Sequence, residues 1–85
     1  MIKLLKFDGN WIITEIEELP EVELGDPNCV LKYAYQIDGS CLGSWPPYSD
    51  DREVLVRSSD ILLIAEPKTF HLGEYYKLVD EEKKE

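Results

Sequence analysis

Apolar and polar residues alternate from the start of the chain. Ile2-Lys3-Leu4-Leu5-Lys6-Phe7 and residues 11–18 each carry the period of two that marks a half-buried strand, and Asp8-Gly9-Asn10 between them supplies the positive-φ residues of a tight hairpin. In the second run Ile12, Thr14 and Ile16 face one way while Trp11, Ile13, Glu15 and Glu17 face the other, so the strand turns polar toward its end. Residues 19–28 hold two prolines and a glycine, which break a ladder and mark a long connection. Beyond it Cys29, Leu31, Tyr33, Tyr35 and Ile37 alternate with Val30, Lys32, Ala34 and Gln36, predicting a third strand with the first five on one face. Asp38-Gly39-Ser40 ends that strand, and Cys41 to Asp51 reads as a loop, stiffened by Pro46-Pro47, with room for a short strand at its start.

Glu53 to Arg57 predicts a fourth strand, Ser58-Ser59-Asp60 a very short turn, and Ile61 to Glu66 a fifth strand that Pro67 stops. The fifth differs from the others in kind. Ile61-Leu62-Leu63-Ile64-Ala65 is apolar at every position, so both its faces need cover, whereas a small barrel of five strands covers one. Either the C-terminal segment lies over it or another subunit does, since a bare apolar edge is an aggregation hazard. After Pro67, Leu72, Tyr75, Tyr76 and Val79 recur at helical spacing, predicting a short helix over about residues 69–79 with Thr69 at its cap. Gly73 weakens that helix by about 1 kcal/mol relative to alanine. The expected organisation is one mainly β domain over residues 1–80, followed by a charged tail, 81–85, that frays into solvent.

Size makes such a domain marginal. A chain of 85 residues buries only about 60% of the surface exposed on unfolding, and small cores are usually supplemented by disulfides, a metal or oligomerisation. Here there are two cysteines, Cys29 and Cys41, and one histidine, His71, with no Cys-x-x-Cys or His-x-x-x-His spacing, so no structural zinc site and no other cofactor is expected. The N-terminus runs straight into a strand, which leaves no secretory signal and points to a reducing cytoplasm. No apolar run approaches the roughly 20 residues needed to span a bilayer, so no membrane role is expected. Oligomerisation is the supplement that remains.

Charge narrows the partners. The net charge is −9, with 9 basic residues against 18 acidic ones, and Glu15, Glu17, Glu18, Glu21, Glu23 and Asp26 form a stretch without a basic residue. Phosphate backbones are bound by lysine and arginine, so non-specific nucleic-acid binding is disfavoured. The acidic run serves solubility, or docks on a basic host protein by imitating the charge of nucleic acid.

Glu53-Val54-Leu55-Val56-Arg57-Ser58-Ser59-Asp60-Ile61-Leu62-Leu63-Ile64 resembles the second signature of the Sm-like family, a strand ending in apolar-Arg-Gly, a tight turn, then an apolar strand. Asn28-Cys29-Val30-Leu31 resembles the asparagine-led strand of its first signature. The chain is also similar to small proteins encoded by marine cyanophages, in which segments like Gly25 to Cys29 and Ser58 to Ile61 recur. The Sm-like resemblance implies a five-stranded, strongly bent antiparallel barrel of the SH3-like type. It further implies a homo-oligomeric ring of about five to seven copies, closed by pairing the fourth strand of one subunit with the fifth of the next. Val54, Val56, Ile61, Leu62, Leu63 and Ile64 would then lie at the subunit interface. Family members bind uridine-rich RNA through a stacking side chain, the asparagine and the arginine; Asn28 and Arg57 match the last two. Asp26 stands where the stacking residue falls and offers no π-face, and Ser58 stands where the family has glycine. The ring is therefore expected as a binding or scaffolding module with weak RNA binding.

No catalytic set is expected. Cys29 or Cys41 with His71 has the composition of a nucleophile and base, but Cys29 lies on an apolar strand face where cysteine acts as a small hydrophobe. Asp8, Asp38, Asp50, Asp51 and Asp60 sit near turns and lack the alternating ligand series of a calcium loop. Trp45-Pro46-Pro47-Tyr48 suits either a docking segment or a loop folded back to fill the core.

Overall fold

The computed structural model describes residues 2–39, 41–45 and 52–83. The opening hairpin forms as predicted: β1 (Ile2–Phe7) pairs antiparallel with β2 (Asn10–Glu18), with Phe7 opposite Asn10 and Gly9 supplying φ +84 at the turn. β2 continues into an antiparallel pairing with β3 (Cys29–Asp38). The register of that pair breaks once: Ile13 lies opposite Tyr35 but Glu15 lies opposite Lys32, so Tyr33 and Ala34 together face Thr14. This is a β-bulge, and it bends the strand.

The bulge turns on Tyr33, which holds φ +50. A left-handed conformation at a non-glycine residue costs roughly 1–3 kcal/mol unless its surroundings impose it. Here the Tyr33 N–H donates to the Arg52 carbonyl at 2.8 Å, and the Lys83 ammonium stands 5.4 Å from the centre of the ring. Beyond the bend β3 changes neighbours. Its first half, Cys29 to Lys32, pairs with β5 (Glu53–Val56), and its second half, Tyr35 to Asp38, pairs with β4 (Cys41–Ser44).

The bulge also moves side chains between faces. Continuous alternation would leave Leu31, Tyr35 and Ile37 together, but one extra residue reverses every position after it. Leu31 and Ala34 join Leu5 and Ile12 in an inner core, packed against Phe7, Ile16, Trp45, Val54, Val56 and Ile61. Tyr35 joins Ile13, Tyr75 and Val79 in a second core on the outer face, with Tyr33 and Ile37 packed against it. Leu5, Ile12, Ile13 and Leu31 are fully buried, each contributing about 1.5–3 kcal/mol.

A 3-10 turn, Ser58–Asp60, leads from β5 to β6 (Leu63–Ala65), which pairs antiparallel with β1. The expected five-stranded closed barrel is corrected here. The sheet has six strands, β4-β3-β2-β1-β6 with β5 also on β3, and among the described residues no ladder joins β5 to β6. Two causes are visible. The 3-10 turn carries the chain across to the Lys6 carbonyl, which accepts from the Leu62 N–H at 2.7 Å, rather than folding it back as a hairpin. And β6 is three residues long, not the six of Ile61 to Glu66, because Ile61 and Leu62 are spent leaving the turn.

The C-terminal helix, α1 (Thr69–Lys83), packs on β2 and β4. It runs past the expected end at Val79, so that part of the expected tail is helical: Glu82 reaches Arg52 at 3.2 Å and Lys83 caps the Tyr33 ring. Thr69 is the first helical residue rather than the cap, since the Leu72 N–H already donates to the Lys68 carbonyl.

Tyr75 fastens the helix to the bulge. Its hydroxyl donates to the Lys32 carbonyl (3.1 Å) and accepts from the Glu15 N–H (3.2 Å), while Thr14, fully buried, donates to the same carbonyl at 2.9 Å. Backbone groups that the broken ladder would strand are thus satisfied by side chains. The Tyr75 ring meets Tyr35 edge-on at 5.8 Å.

Burial pushes the Tyr75 hydroxyl up to about 12 and raises Tyr35 as well, the latter also through Glu82. Both raised values favour the protonated folded state. Below about pH 10, where free tyrosine is neutral too, this contribution is fully present. Between pH 10 and 12 the unfolded chain ionises first and stability is lost. Far-ultraviolet circular dichroism should show unfolding in that window. Tyr75→Phe should lower stability at neutral pH by about 1–2 kcal/mol through its lost hydrogen bonds and should blunt the alkaline transition.

Candidate functional site

The two residues singled out by the signatures meet in space. Asn28 closes the long connection: its carbonyl accepts from the Leu19 N–H at 2.8 Å, which shuts the base of the loop, and its own N–H donates to the Val56 carbonyl at 3.1 Å. It thereby sits beside the residues that follow β5. Arg57 leaves β5 in extended conformation, φ −91, and precedes the 3-10 turn. Between the loop and the turn lies a hollow of about 180 Å³, lined by Leu24, Gly25, Asp26, Asn28, Arg57, Ser58 and Ser59.

Within the hollow Asn28 is engaged at both ends of its amide. Its Nδ2 donates to the Ser58 Oγ at 3.0 Å, and its Oδ1 accepts from the Ser58 N–H at 2.7 Å. The side chain therefore staples the loop to the first residue of the 3-10 turn. Ser58 needs no left-handed backbone, since among the described residues only Glu21, Tyr33 and three glycines have positive φ. Serine replaces glycine here without strain, and its hydroxyl completes the staple. Arg57 is exposed, and Asp26 lines the same hollow, so a carboxylate shares the space with the only cation in its lining. Such a site takes a small polar group more readily than a phosphate chain.

The six expected interface residues divide. Val54, Val56 and Ile61 pack against the inner core, whereas Leu62, Leu63 and Ile64 are 66%, 45% and 54% exposed. Leu55, between the two valines, faces outward at 60% exposure and was not singled out from the sequence. Its position in the strand's alternation was the available signal.

The two cysteines weighed for nucleophilic chemistry lie at opposite ends of β3. Cys29 is buried at the start of β3, where desolvation, aided by the Glu18 charge, pushes its thiol above the ordinary value. Cys41 is exposed and pairs opposite Asp38 at the far end of β3. The His71 Nε2 lies 3.1 Å from the Gly39 carbonyl. Among the described residues no three of His, Cys, Asp and Glu are grouped to hold a metal ion, and no helix is long and apolar enough to cross a membrane. Trp45 stacks on Phe7 at 5.4 Å and so fills the inner core; Pro46, Pro47, Tyr48, Asp50 and Asp51 lie outside the described residues.

Residues 1–80 match a family described as a family of unknown function (DUF6561), and the chain belongs to that family. No curated protein matches it.

The Asn28 staple gives a measurable contrast. Asn28→Ala should cost about 1–2 kcal/mol in urea unfolding, because the Ser58 turn loses both side-chain partners. Arg57→Ala, at an exposed position, should stay within about 0.5 kcal/mol of the parent.

Proposed function

We propose that the chain is a non-enzymatic, Sm-like binding or scaffolding module, of the kind found in small cyanophage proteins, that assembles with copies of itself into a closed ring. The observation that carries this reading is the run Leu62-Leu63-Ile64, three consecutive exposed apolar residues at an unclosed end of the sheet. Leu55, at 60% exposure, adds a further apolar side chain on β5. A bare edge of this kind is a template for another strand. Pairing β5 of one copy with β6 of the next would supply the ladder that a single copy lacks, and repetition of one such head-to-tail contact generates a ring when the rotation closes. The bent β3, the 3-10 turn after β5 and the β6–β1 pairing all suit an Sm-like course.

RNA is a weak ligand on this reading. The Asn28 amide is committed to Ser58, Asp26 lies beside Arg57, and the surface charge is strongly negative. A second reading draws on the exposed acids Glu18, Glu21, Glu23 and Asp26, which have no ion pair among the described residues while Lys32 neutralises Glu17 at 2.9 Å: an acidic adaptor for a basic host protein. Salt-sensitive recovery of such a protein by a monomeric chain would favour it.

Light scattering at micromolar concentration should give a multiple of the chain mass, and Leu63→Lys with Ile64→Lys should reduce it to one chain while leaving the circular dichroism unchanged. A parent chain that is monomeric there ends the ring reading. Titration with uridine-rich oligonucleotides should show weak or no binding, and a tight complex abolished by Arg57→Ala would contradict the assignment of Asn28 to structure.

A further inference from the structure

A groove of about 310 Å³ opens on the outer face beside the start of α1, lined by the apolar Leu4, Trp11 and Ile37 and by Lys68 and His71. The Lys6 ammonium stands 4.7 Å above the Trp11 ring, and the His71 ring is held at the rim by its contact with the Gly39 carbonyl. This is an unusual neighbourhood for the chain. With 9 basic residues against 18 acidic ones, two lysines and the histidine gather round an apolar floor, and among the described residues neither Lys6 nor Lys68 is ion-paired with a carboxylate. The volume lies at the lower end of the ~300–1,000 Å³ of small-molecule sites, and suits one or two aliphatic side chains better than a cofactor.

The complementary surface lies at the other end of the sheet. Leu24 is fully exposed, at 106% of its reference accessibility, in a loop that also carries Glu21, Glu23 and Asp26. The Asp26 N–H donates to the Glu23 carbonyl at 3.1 Å, and Gly25 takes φ +92, so Glu23-Leu24-Gly25-Asp26 is a turn with Leu24 at its tip. Val22 is exposed nearby, Glu21 and Glu23 flank it, and Glu23 directly precedes Leu24. Neither solubility nor imitation of nucleic-acid charge uses a leucine held out in water. The loop cannot reach the groove of its own chain. Its base is shut between Leu19 and Asn28, and seven residues of β2, Ile12 to Glu18, separate it from Trp11, roughly 23–26 Å at ~3.3 Å per residue.

We propose that the groove is the socket for the Glu21–Asp26 turn of a second copy of the chain, with Leu24 seated on Trp11 and Ile37 and with Glu21 and Glu23 against Lys6 and Lys68. An apolar tip between two acids meets an apolar floor between two cations, so both terms select the same pairing. The contact is head-to-tail, and it uses neither the β5 nor the β6 edge. It therefore stands whether or not those edges pair.

A mixing experiment tests it. Leu24→Asp removes the tip and keeps the socket. Lys6→Glu with Lys68→Glu reverses the rim and keeps the tip, and all three substitutions are at positions away from the buried cores. Leu62→Lys and Ile64→Lys are placed in both chains to silence edge pairing, and Leu63, which lies opposite Lys6, is left unchanged. The Trp11 indole N–H resonance of ¹⁵N-labelled Leu24→Asp chain should shift when unlabelled rim-reversed chain is added up to about 1 mM. It should stay still when unlabelled Leu24→Asp chain is added. No shift in either mixture overturns the proposal, and so does an equal shift in both, which would assign Trp11 to another contact. A shift produced by octanoate but not by the rim-reversed chain would likewise overturn it and assign the groove to a small apolar acid.

Discussion

The carbonyl of Lys32 is the point on which the fold turns. In an unbroken ladder it would bond to β2, but the bulge at Tyr33 takes it out of register, and Thr14 and Tyr75 together satisfy it. Without those two hydroxyls a part-buried carbonyl would go unpaired immediately before Tyr33, itself strained at φ +50. With them, β3 bends and serves two different strands along one edge. The same Tyr75 hydroxyl accepts from Glu15, so the element that repairs the broken ladder is also the one that docks the helix. Bend, helix position and second core are one event.

That event decides what stays uncovered. Because α1 is tied to the bulge, it lies over β2 and β4, and Leu63 and Ile64 of β6 stay 45% and 54% exposed. Because the first half of β3 turns to meet β5, the chain must cross from β5 to β6 through a 3-10 turn, and no ladder closes the gap between them among the described residues. The Asn28 staple belongs to this crossing, holding the turn against the base of the acidic loop. Residues that carry a signature can thus be engaged in structure first, and the proposed assembly rests on exposed edges and tips rather than on those signature side chains.

Much of this was legible from pattern. The hairpin, the long connection, the strands at residues 29–38 and 53–56 and the helix all follow from periods of two or of 3.6 and from glycine and proline punctuation. Asn28 and Arg57, singled out only through the Sm-like resemblance, line one hollow. The bulge was not legible from pattern. Tyr33 continues the alternation of its strand without fault, and tyrosine is no residue to suggest a left-handed backbone. The cause lies in the Arg52 carbonyl and in Tyr75, at sequence separations that periodicity does not sense.

Local composition by itself determined the mainly β character, the number of apolar stripes, the acidic loop and the over-apolar run at Ile61 to Ala65, because each is a property of neighbouring residues. Which face each stripe serves, which edge stays open and which side chains are already spent on backbone groups were decided only by tertiary structure. The physical reason is parity: a strand's side chains alternate by single residues, so one extra residue, admitted only because distant hydroxyls satisfy the carbonyl it frees, reassigns everything beyond it.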